Sequence, residues 1–347
     1  MTNQLRERTI FYMARKSNKK MGLQEAIQHF SNPDNVLAYM TRLRWPDGVV
    51  KCPTCGREGA SFLKNQNKWQ CKSAHAKRQF SAKVGTIFED SPIPMDKWLV
   101  AVWMLSNCKN GISSYELAKA IGVTQKSAWF MLHRIRTAMK TGSIAKLGGS
   151  GGPVEADETF VGANVQKMHK SRRAKMQAIA SNTYGMSRHA IGKTIVMGML
   201  DRDLREVRAM VIPDVKRATL QDQMLNHVAG GATVYTDDAT GYRYALSEGF
   251  AHEIINHAEE YVRGQVHTQG IENFWSLLKR GLRGTYVAVE PFHLERYVDE
   301  QVFRYNNRGS KEYPVSDFAR FTMAMSQIAG KRLTYAEVTG KVGETAN

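Results

Sequence analysis

The chain has 347 residues, of which 42% are hydrophobic, and we expect this length to form two or more domains with substantial cores. Its 49 Lys and Arg against 32 Asp and Glu give a formal net charge of +17, which predicts a polyanionic partner, most often nucleic acid. The longest strongly apolar stretch, "WLVAVWMLS", is about half as long as a bilayer span, and the start of the chain lacks an apolar signal segment. These features exclude a membrane-spanning protein and favour a soluble intracellular one.

Four cysteines occur in the chain, and their spacing indicates metal binding rather than disulfides. Cys52 and Cys55 flank a Pro-Thr turn in "KCPTCG", the spacing at which two thiolates reach one tetrahedral zinc ion. After a short hairpin, "KWQCKSAHAK" supplies Cys71 and, four residues on, His75. We therefore predict a zinc ribbon with a structural Cys3His site. Two unliganded thiols, or a site that lacks its fourth ligand, are the alternatives.

Helical patterns follow the ribbon, and two of the helices have helix-turn-helix spacing. Ser113 and Glu116 form a capping box at the start of the first helix. Gly122 marks a tight turn, and Thr124 caps the second helix. We expect the second helix to place four polar or basic side chains in a DNA major groove. They are Gln125, Lys126, Arg134 and Arg136. An ordinary helical hairpin is the alternative.

A Gly- and Ser-rich segment, "TGSIAKLGGSGGP", predicts a flexible linker. The elements after it follow the order strand, strand, strand, helix, strand, helix, which is the order of an α/β ribonuclease H-like (integrase-type) fold. In that topology the first and fourth strands lie side by side. Asp157 on the first strand then neighbours Asp237 at the end of the fourth, and Glu272 on the later helix packs across their ends.

These three carboxylates would repel one another without cations, so their convergence predicts a metal site. Oxygen ligands favour Mg²⁺ or Mn²⁺, and two such ions can activate a water or a 3′ hydroxyl for in-line displacement at phosphorus. Lys279 lies within about 20° of the helical direction of Glu272, and Arg283 continues that line. We expect both cations to contact DNA phosphates. A salt bridge on the rim of an ordinary amphipathic helix is the alternative.

Six stretches of the chain match one known family in order: "LRWPDGVVKCPTCG", "FSAKVGTIFEDSPIP", "EADETFVG", "VYTDDATGY", "HTQGIENFWSLLKRGLRGTY" and "RYVDEQVFRYNNR". In these motifs the chain resembles the bacterial insertion-sequence transposases that carry a DDE-type acidic centre and an amino-terminal zinc ribbon (insertion-sequence family 1595). The resemblance implies that Asp157, Asp237 and Glu272 are the metal-binding triad. Lys279 would be the lysine that accompanies it. His75 departs from the usual four-cysteine ribbon of the family.

Several residues near these motifs are alternatives or additions to the site. Asn273 adjoins Glu272, and some members of the family have Asn in the third position. Asp238 similarly adjoins Asp237. His267 is a candidate for contact with DNA or metal. A polar cluster after an amphipathic helix lies either near the active centre or at the helix end as capping groups. It consists of Arg304, Asn306 and Arg308.

The resemblance implies an enzyme that binds the terminal inverted repeats of its own element, nicks the ends and joins the 3′ hydroxyls to target DNA. Its expected partners are double-stranded DNA and further copies of the chain, in the bacterial cytoplasm and away from membranes. A sequence-specific DNA-binding regulator and a structure-specific nuclease are the competing functions. A tyrosine recombinase is disfavoured because its Arg-His-Arg-Tyr set is not evident.

The predicted organisation has six parts along the chain. They are a basic N-terminal extension (1–21), a zinc ribbon (22–90), a helix-turn-helix DNA-binding region (91–140), a flexible linker (141–152), a ribonuclease H-like catalytic domain (153–309) and a C-terminal helical tail (310–347).

Overall fold

The computed structural model describes residues 21–140, 145–162, 169–171, 173–174, 192–237, 249–255 and 267–341. The helices within these ranges are α1 (Leu23–Phe30), α2 (Pro33–Arg44), α3 (Met95–Asn107), α4 (Ser114–Ile121), α5 (Gln125–Met139), α6 (Arg217–His227), α7 (Gln269–Gly281), α8 (Leu294–Asn306), α9 (Asp317–Ser326) and α10 (Tyr335–Thr339). The strands are β1 (Ser61–Leu63), β2 (Lys68–Gln70), β3 (Gln79–Phe80), β4 (Val154–Val161), β5 (Thr194–Asp201), β6 (Glu206–Ile212), β7 (Thr233–Asp237) and β8 (Ala251–Ile255). None of the helices that the structure describes has the length and apolar character needed to cross a bilayer.

The chain divides into two compact units, which we describe separately. The ribbon unit comprises Met1–Thr141 and Asn307–Asn347, and the sheet unit comprises Gly142–Asn306.

A small antiparallel sheet in the ribbon unit carries the two halves of the predicted zinc ribbon. Its strand order is β1-β2-β3, and Trp69 of β2 lies opposite Phe80 of β3. Trp69 also packs edge-on against Trp45, with 5.1 Å between the ring centroids. These rings give a sheet of three short strands an apolar core of its own.

The predicted helix-turn-helix region forms two helices with the expected caps. Ser113 Oγ accepts a hydrogen bond from the Glu116 N–H at 3.2 Å, and the Glu116 carboxylate accepts one from the Ser113 N–H at 2.9 Å. Gly122 ends α4 in the left-handed conformation, with φ of 63°, which glycine adopts without steric cost. Thr124 Oγ1 accepts a hydrogen bond from the Ser127 N–H at 3.1 Å and starts α5. The predicted capping signals are therefore confirmed.

The carboxyl-terminal segment, predicted as a separate helical tail (310–347), is part of the ribbon unit. Phe321 of α9 packs against Phe30 of α1, with 5.5 Å between the ring centroids. Arg320 Nε donates a hydrogen bond to Asn107 Oδ1 at 2.9 Å across a sequence separation of 213 residues. No local pattern in the sequence indicates contacts between segments this far apart.

The segment predicted as a flexible linker (141–152) is partly an ordered piece of the sheet unit. Leu147 is buried, its N–H donates to the His227 carbonyl at 2.9 Å, and its own carbonyl accepts from the Ala229 N–H at 2.8 Å. The Gly148 N–H donates to the buried Asp201 carboxylate at 2.8 Å. Residues 141–144 lie outside the described residues. A Cβ at Gly148 would lie 2.7 Å from the Ala232 side chain and one at Gly152 would lie 2.3 Å from the Asp203 carboxylate, so these two glycines serve close packing.

The sheet unit is built on a five-stranded sheet in the order β6-β5-β4-β7-β8. β4, β5 and β6 are antiparallel neighbours, whereas β7 runs parallel to both β4 and β8. The prediction that the first and fourth strands of this region lie side by side is confirmed, with Glu155 of β4 opposite Tyr235 of β7. β4 is therefore a central strand, where a charged side chain needs a partner or a function.

Side chains alternate between the two faces along each strand. Both faces of this sheet are therefore apolar, and helices cover each of them. Met197 of β5 packs with Leu220 of α6 in one buried cluster. Its neighbour Val196 points to the other face and packs in a second cluster with Phe274 of α7 and Val298 of α8. The sheet unit is consequently a three-layer α/β arrangement in which α7 lies on the face that carries Val196.

Candidate active site and zinc centre

Asp157 lies on the central strand β4 and faces helix α7. Its Oδ2 accepts a hydrogen bond from the indole N–H of Trp275 at 2.8 Å, and its Oδ1 accepts one from the Glu158 N–H at 2.8 Å. Gly198 lies directly opposite on β5, and a Cβ there would be 2.6 Å from the Trp275 ring. The absence of a side chain at Gly198 thus allows the indole to reach and hold the carboxylate.

Asp237 and Glu272 complete an acidic cluster around Asp157, and we use that name for these three residues. Asp237 is the last residue of β7, and Glu272 is in the first turn of α7. Burial raises the pKa of Asp157 to about 6, and the charges of Asp237 and Glu272 act in the same direction, against the Trp275 hydrogen bond. The structure therefore brings Asp237 and Glu272 close enough to Asp157 for their charges to act on its carboxylate.

Asn273 and Asp238 are the alternatives to Glu272 and Asp237. Asn273 is exposed on α7 beside Glu272, and Asp238 lies outside the described residues. Glu272 itself accepts a hydrogen bond from Thr268 Oγ1 at 3.2 Å. Because Glu272 also acts on the pKa of Asp157, it is the better candidate for the third position.

Lys279 lies beside the acidic cluster, two turns further along α7. Burial lowers the pKa of its half-buried ammonium, the cations Arg283 and Lys193 act in the same direction, and Asp157 opposes them. Arg283 is exposed. α7 thus presents Glu272 and then Lys279, whereas Arg283 follows in the π-helical turn Leu282–Tyr286, where α-helical spacing no longer sets its direction. Lys193, which was not predicted from the sequence, precedes β5 and lies close enough to Lys279 to act on its pKa.

An ion pair between the buried Glu155 and the partly buried Arg202, not predicted from the sequence, lies next to the acidic cluster. Glu155 Oε1 is 2.6 Å from Arg202 Nε, and Glu155 Oε2 accepts a hydrogen bond from the Ile271 N–H at 2.8 Å. His267, a candidate for contact with DNA or metal, accepts a hydrogen bond from Arg202 on Nδ1 at 2.8 Å. The signal available in the sequence was a second carboxylate on the same strand, two residues before Asp157.

The predicted polar cluster at the end of α8 stabilises the fold. Arg304 is buried and donates hydrogen bonds to the Glu300 carboxylate on the preceding turn. Asn306 pairs with the edge strand β6, accepting from the Val207 N–H at 2.8 Å and donating to the Val207 carbonyl at 2.9 Å. Arg308 is exposed. These contacts favour the structural alternative for Arg304 and Asn306 over a place in the active centre.

The four predicted zinc ligands, Cys52, Cys55, Cys71 and His75, come together in the ribbon. Their ligand atoms all lie within 4.8 Å of one another. Cys52 Sγ is 3.5 Å from His75 Nε2, and Cys55 Sγ is 3.6 Å from Cys71 Sγ. A tetrahedral zinc ion with bonds of about 2.0 to 2.3 Å separates its ligands by about 3.5 to 3.8 Å. The residues present therefore fit zinc.

Hydrogen bonding favours the thiolate form of Cys71, whereas the hydrogen bonds with the Ala76 carbonyl and Cys71 raise the pKa of His75. The hydrogen bond from the Ser73 N–H to Cys71 Sγ lowers the pKa of this thiol to about 6, and His75 acts in the same direction. His75 Nδ1 lies 2.6 Å from the Ala76 carbonyl, a contact that leaves Nε2 for the metal. Thiolate and neutral imidazole are the forms that bind zinc. Four protein ligands leave no open position, so the site supports a structural zinc ion.

Burial excludes two of the four α5 residues from the expected contact with DNA. Arg134 is buried and donates hydrogen bonds to the carbonyls of Leu333 at 2.9 Å and Glu89 at 2.8 Å. Arg136 is fully buried. The prediction that these arginines face a major groove is wrong, because every residue of α5 from 131 to 136 is buried.

The other two α5 residues lie in the first turn of the helix. Gln125 is half-buried and donates a hydrogen bond to Ser114 Oγ at 2.8 Å. Lys126 is exposed, and its Nζ lies 5.0 Å from the centroid of the Tyr335 ring. The first turn is the part of a recognition helix that reaches base edges. Gln125 and Lys126 therefore remain candidates for DNA contact.

The fold and the two sites define a chain with a zinc ribbon in its first part and an acidic cluster on an α/β sheet in its second. Residues 149–306 match the family model described as an ISXO2-like transposase domain, and residues 32–76 match that of a transposase zinc-ribbon domain. The first match nearly coincides with the sheet unit.

Two relatives agree with these matches. The chain is 26% identical over 261 residues to the uncharacterized protein in transposable element ISH50 of Halobacterium salinarum, which is 74% of this chain and 85% of that protein. It is 32% identical over 102 residues to an uncharacterized transposase-like protein of Haemophilus influenzae, which is 29% of this chain and 82% of that protein. The chain belongs to the insertion-sequence transposases that have an ISXO2-like transposase domain and a transposase zinc ribbon. The resemblance identified from the sequence motifs is confirmed.

Proposed function

We propose that the chain is a DDE-type transposase whose sheet unit is a ribonuclease H-like catalytic domain. The proposed reaction is binding of the terminal inverted repeats of its element, nicking of the ends and joining of the 3′ hydroxyls to target DNA. The observation that carries the proposal is the acidic cluster, which combines residues of a central strand, its parallel neighbour and a later helix. The strand order of the sheet, with β4 between β5 and β7, supports the proposed fold.

The donor chemistry of the acidic cluster suits divalent cations of the magnesium type. Its donors are all carboxylate oxygens, which Mg²⁺ and Mn²⁺ accept more readily than zinc does. The repulsion that helps to raise the pKa of Asp157 would be relieved by a cation between the carboxylates. Asp157, Asp237 and Glu272 are the proposed ligands. When bound, such ions would activate a water or a 3′ hydroxyl and stabilise the leaving oxygen at phosphorus.

Other groups of the sheet unit orient the carboxylate and the DNA in this proposal. The Trp275 indole and the Glu158 N–H hold the Asp157 carboxylate in one orientation. Lys279 and Arg283, beside the cluster, bind phosphates next to the scissile bond, where charge-assisted hydrogen bonds are strong. Water and the 3′ hydroxyl are the nucleophiles, so no covalent protein–DNA intermediate forms.

The ribbon unit supplies DNA recognition in this proposal. Zinc holds the ribbon rigid, and Gln125 and Lys126 at the start of α5 contact the element ends. The formal net charge of +17 provides the general attraction to DNA. We propose that several copies of the chain act together, since both ends of the element must be paired, and that they do so in the bacterial cytoplasm.

A strand-transfer assay on the purified full chain tests the proposal. Labelled DNA carrying the ends that flank the gene is mixed with a target plasmid and Mg²⁺ or Mn²⁺, and wild type is compared with Glu272→Gln. Asn273→Ala, which changes the adjacent exposed residue, is the matched control. Joined products from wild type and the control, and none from Glu272→Gln, support the proposal. Cleavage without joining would indicate a nuclease, and specific binding without cleavage in every protein would indicate a regulator.

A further inference from the structure

We propose that the ion pair of Glu155 with Arg202 positions the acidic cluster, by holding in register the three elements that carry its carboxylates. The proposal rests on the proposed function, because it concerns the same site. Both residues act through their neighbours and are positioning residues rather than ligands.

On each of the three elements, the residue that belongs to or contacts the ion pair lies one or two positions before a carboxylate of the acidic cluster. On β4 it lies two residues before Asp157, and therefore on the same face of the strand. Its partner across the parallel pair is Tyr235, which lies two residues before Asp237 on β7. On α7 it bonds the backbone N–H directly before Glu272. Each carboxylate of the cluster is thus one or two residues along its element from a residue that belongs to the ion pair or contacts it.

The Glu155 carboxylate fastens the start of α7 to β4. Its side chain is 1% exposed, so both oxygens depend on protein partners. Oε2 accepts the Ile271 N–H at 2.8 Å, and Oε1 lies 2.6 Å from Arg202 Nε. The first N–H groups of a helix have no partner within the helix and carry partial positive charge, so a carboxylate is favourable there.

Arg202 extends the attachment to β7 and to the residues before α7. Its guanidinium lies 4.7 Å from the centroid of the Tyr235 ring. It donates hydrogen bonds to His267 Nδ1 at 2.8 Å and to the His267 carbonyl at 2.6 Å. One side chain, placed directly after β5, therefore contacts the approach to the helix and the strand that ends in Asp237.

Gly270 permits the close approach of the helix to the ion pair. A Cβ at this position would lie 2.9 Å and 3.0 Å from the two carboxylate oxygens of Glu155, and it would overlap the Leu200 side chain. The backbone of the first turn thus rests directly on the carboxylate. Any side chain at Gly270 would lift the turn that carries Glu272.

At the start of α7, we expect the ion pair to contribute more to the position of the helix than to the stability of the fold. Replacing buried pairs by well-packed apolar residues is often neutral or stabilising, whereas their directional hydrogen bonds specify one arrangement. Metal ligands must be held within about 0.5 Å of the productive geometry by such supporting groups. Substitution of one partner leaves the other charge uncompensated and lowers stability, so the positioning role is measured by metal binding in variants that remain folded.

The test compares Glu155→Gln with Asp201→Asn in the full chain. Asp201 is a matched control, since it is also a buried carboxylate on the same sheet, and it accepts hydrogen bonds from the N–H groups of Gly148 and Leu204, away from α7. Mn²⁺ affinity is measured by electron paramagnetic resonance, and hydrogen exchange is measured on the peptide that contains Ile271. We expect Glu155→Gln to lower Mn²⁺ affinity about tenfold, as loss of supporting groups at metal sites does, and to speed exchange at Ile271. Asp201→Asn keeps Mn²⁺ affinity within about twofold of wild type, because alternation along β5 places this side chain on the face of the sheet opposite to α7.

Arg202→Lys is the second variant, for the case in which Glu155→Gln does not fold. It keeps a cation beside Glu155 but loses the fork that reaches His267, so a smaller fall in Mn²⁺ affinity, about threefold, is expected. Folded Glu155→Gln or Arg202→Lys protein with wild-type Mn²⁺ affinity, or an equal fall in Asp201→Asn, would overturn the positioning role. Wild type that binds no Mn²⁺ would instead refute the proposed function, and the positioning role with it.

Discussion

The zinc centre and the acidic cluster both gather ionisable side chains, but they form at different levels of structure. The four zinc ligands lie between residues 52 and 75 and are joined by one small sheet. The three carboxylates lie between residues 157 and 272 and meet through a five-stranded sheet and a helix. Short loops close at low entropic cost, whereas distant segments must first be paired by the fold. We therefore expect the ribbon to depend on its metal, and the acidic cluster to form without one.

Loss of a zinc ligand is the strongest way to test this difference. In Cys52→Ser we expect a zinc content near zero and rapid proteolysis within the ribbon, because structural zinc contributes about 10 kcal/mol or more to the folding of small zinc modules. Elemental analysis and limited proteolysis measure the two effects. Cys108→Ser changes the cysteine outside the cluster and retains zinc. A full zinc content in Cys52→Ser would contradict the Cys3His set.

A substitution in the acidic cluster is expected to reduce catalysis while the fold remains intact. Asp157→Asn removes a proposed metal ligand but keeps the size of the side chain, so we expect strand cleavage and joining to fall by about 10³-fold or more. DNA affinity in a gel-shift assay is expected to be unchanged. Asp222→Asn, at an exposed position of α6, is the control. Equal loss of DNA affinity and chemistry in Asp157→Asn would mean that the substitution disturbs the fold.

The same variant makes a prediction on stability in metal-free buffer. Asp157 titrates near 3.8 in the unfolded chain and, raised mainly by burial, at about 6 in the folded protein. Because the folded state holds this proton more tightly, the wild type loses stability as the pH rises through that interval. Asp157→Asn is therefore expected to be more stable than wild type by about 3 kcal/mol at pH 8 and by far less at pH 4. Urea denaturation at both pH values measures this, and a difference that is independent of pH would exclude the ionisation as its cause.

The smallest expected effect concerns the cations beside the cluster. Lys279→Met removes one proposed phosphate contact, so the slope of log affinity against log salt concentration should fall in magnitude by about 1. Lys279→Arg keeps the charge and is expected to keep the slope. Fluorescence anisotropy over a range of salt concentrations gives both values. An unchanged slope in Lys279→Met would remove Lys279 from the DNA contacts.

Local features of the molecule were predictable because their causes are local. The capping box of Ser113 with Glu116 and the turn at Gly122 depend on residues three to nine positions apart, and both formed as predicted. The order of strands and helices was also sufficient to place β7 beside β4. Because that pairing follows from the order of elements, Asp157 and Asp237 could be selected from the amino-acid sequence.

Sequence patterns did not predict which charged side chains are buried. Arginines are rarely buried, so Arg134 and Arg136 were expected to face DNA. Arg134 instead donates to the Leu333 carbonyl, across 199 residues of sequence. The ordered structure of the Gly-rich stretch after 145 was not predicted either, because its hydrogen-bond partners, such as Asp201, lie far along the chain.

By itself, the amino-acid sequence predicted the candidate zinc ligands, the helix caps, the pairing of the first and fourth strands and the candidate carboxylates, since each depends on short spacing or on the order of elements. Tertiary structure alone decided which charges are enclosed and what holds them: Trp275 on Asp157, and the Glu155–Arg202 pair at the start of α7. The physical reason is that a buried charge is stable only with partners, and strand pairing and helix packing bring those partners from distant parts of the chain.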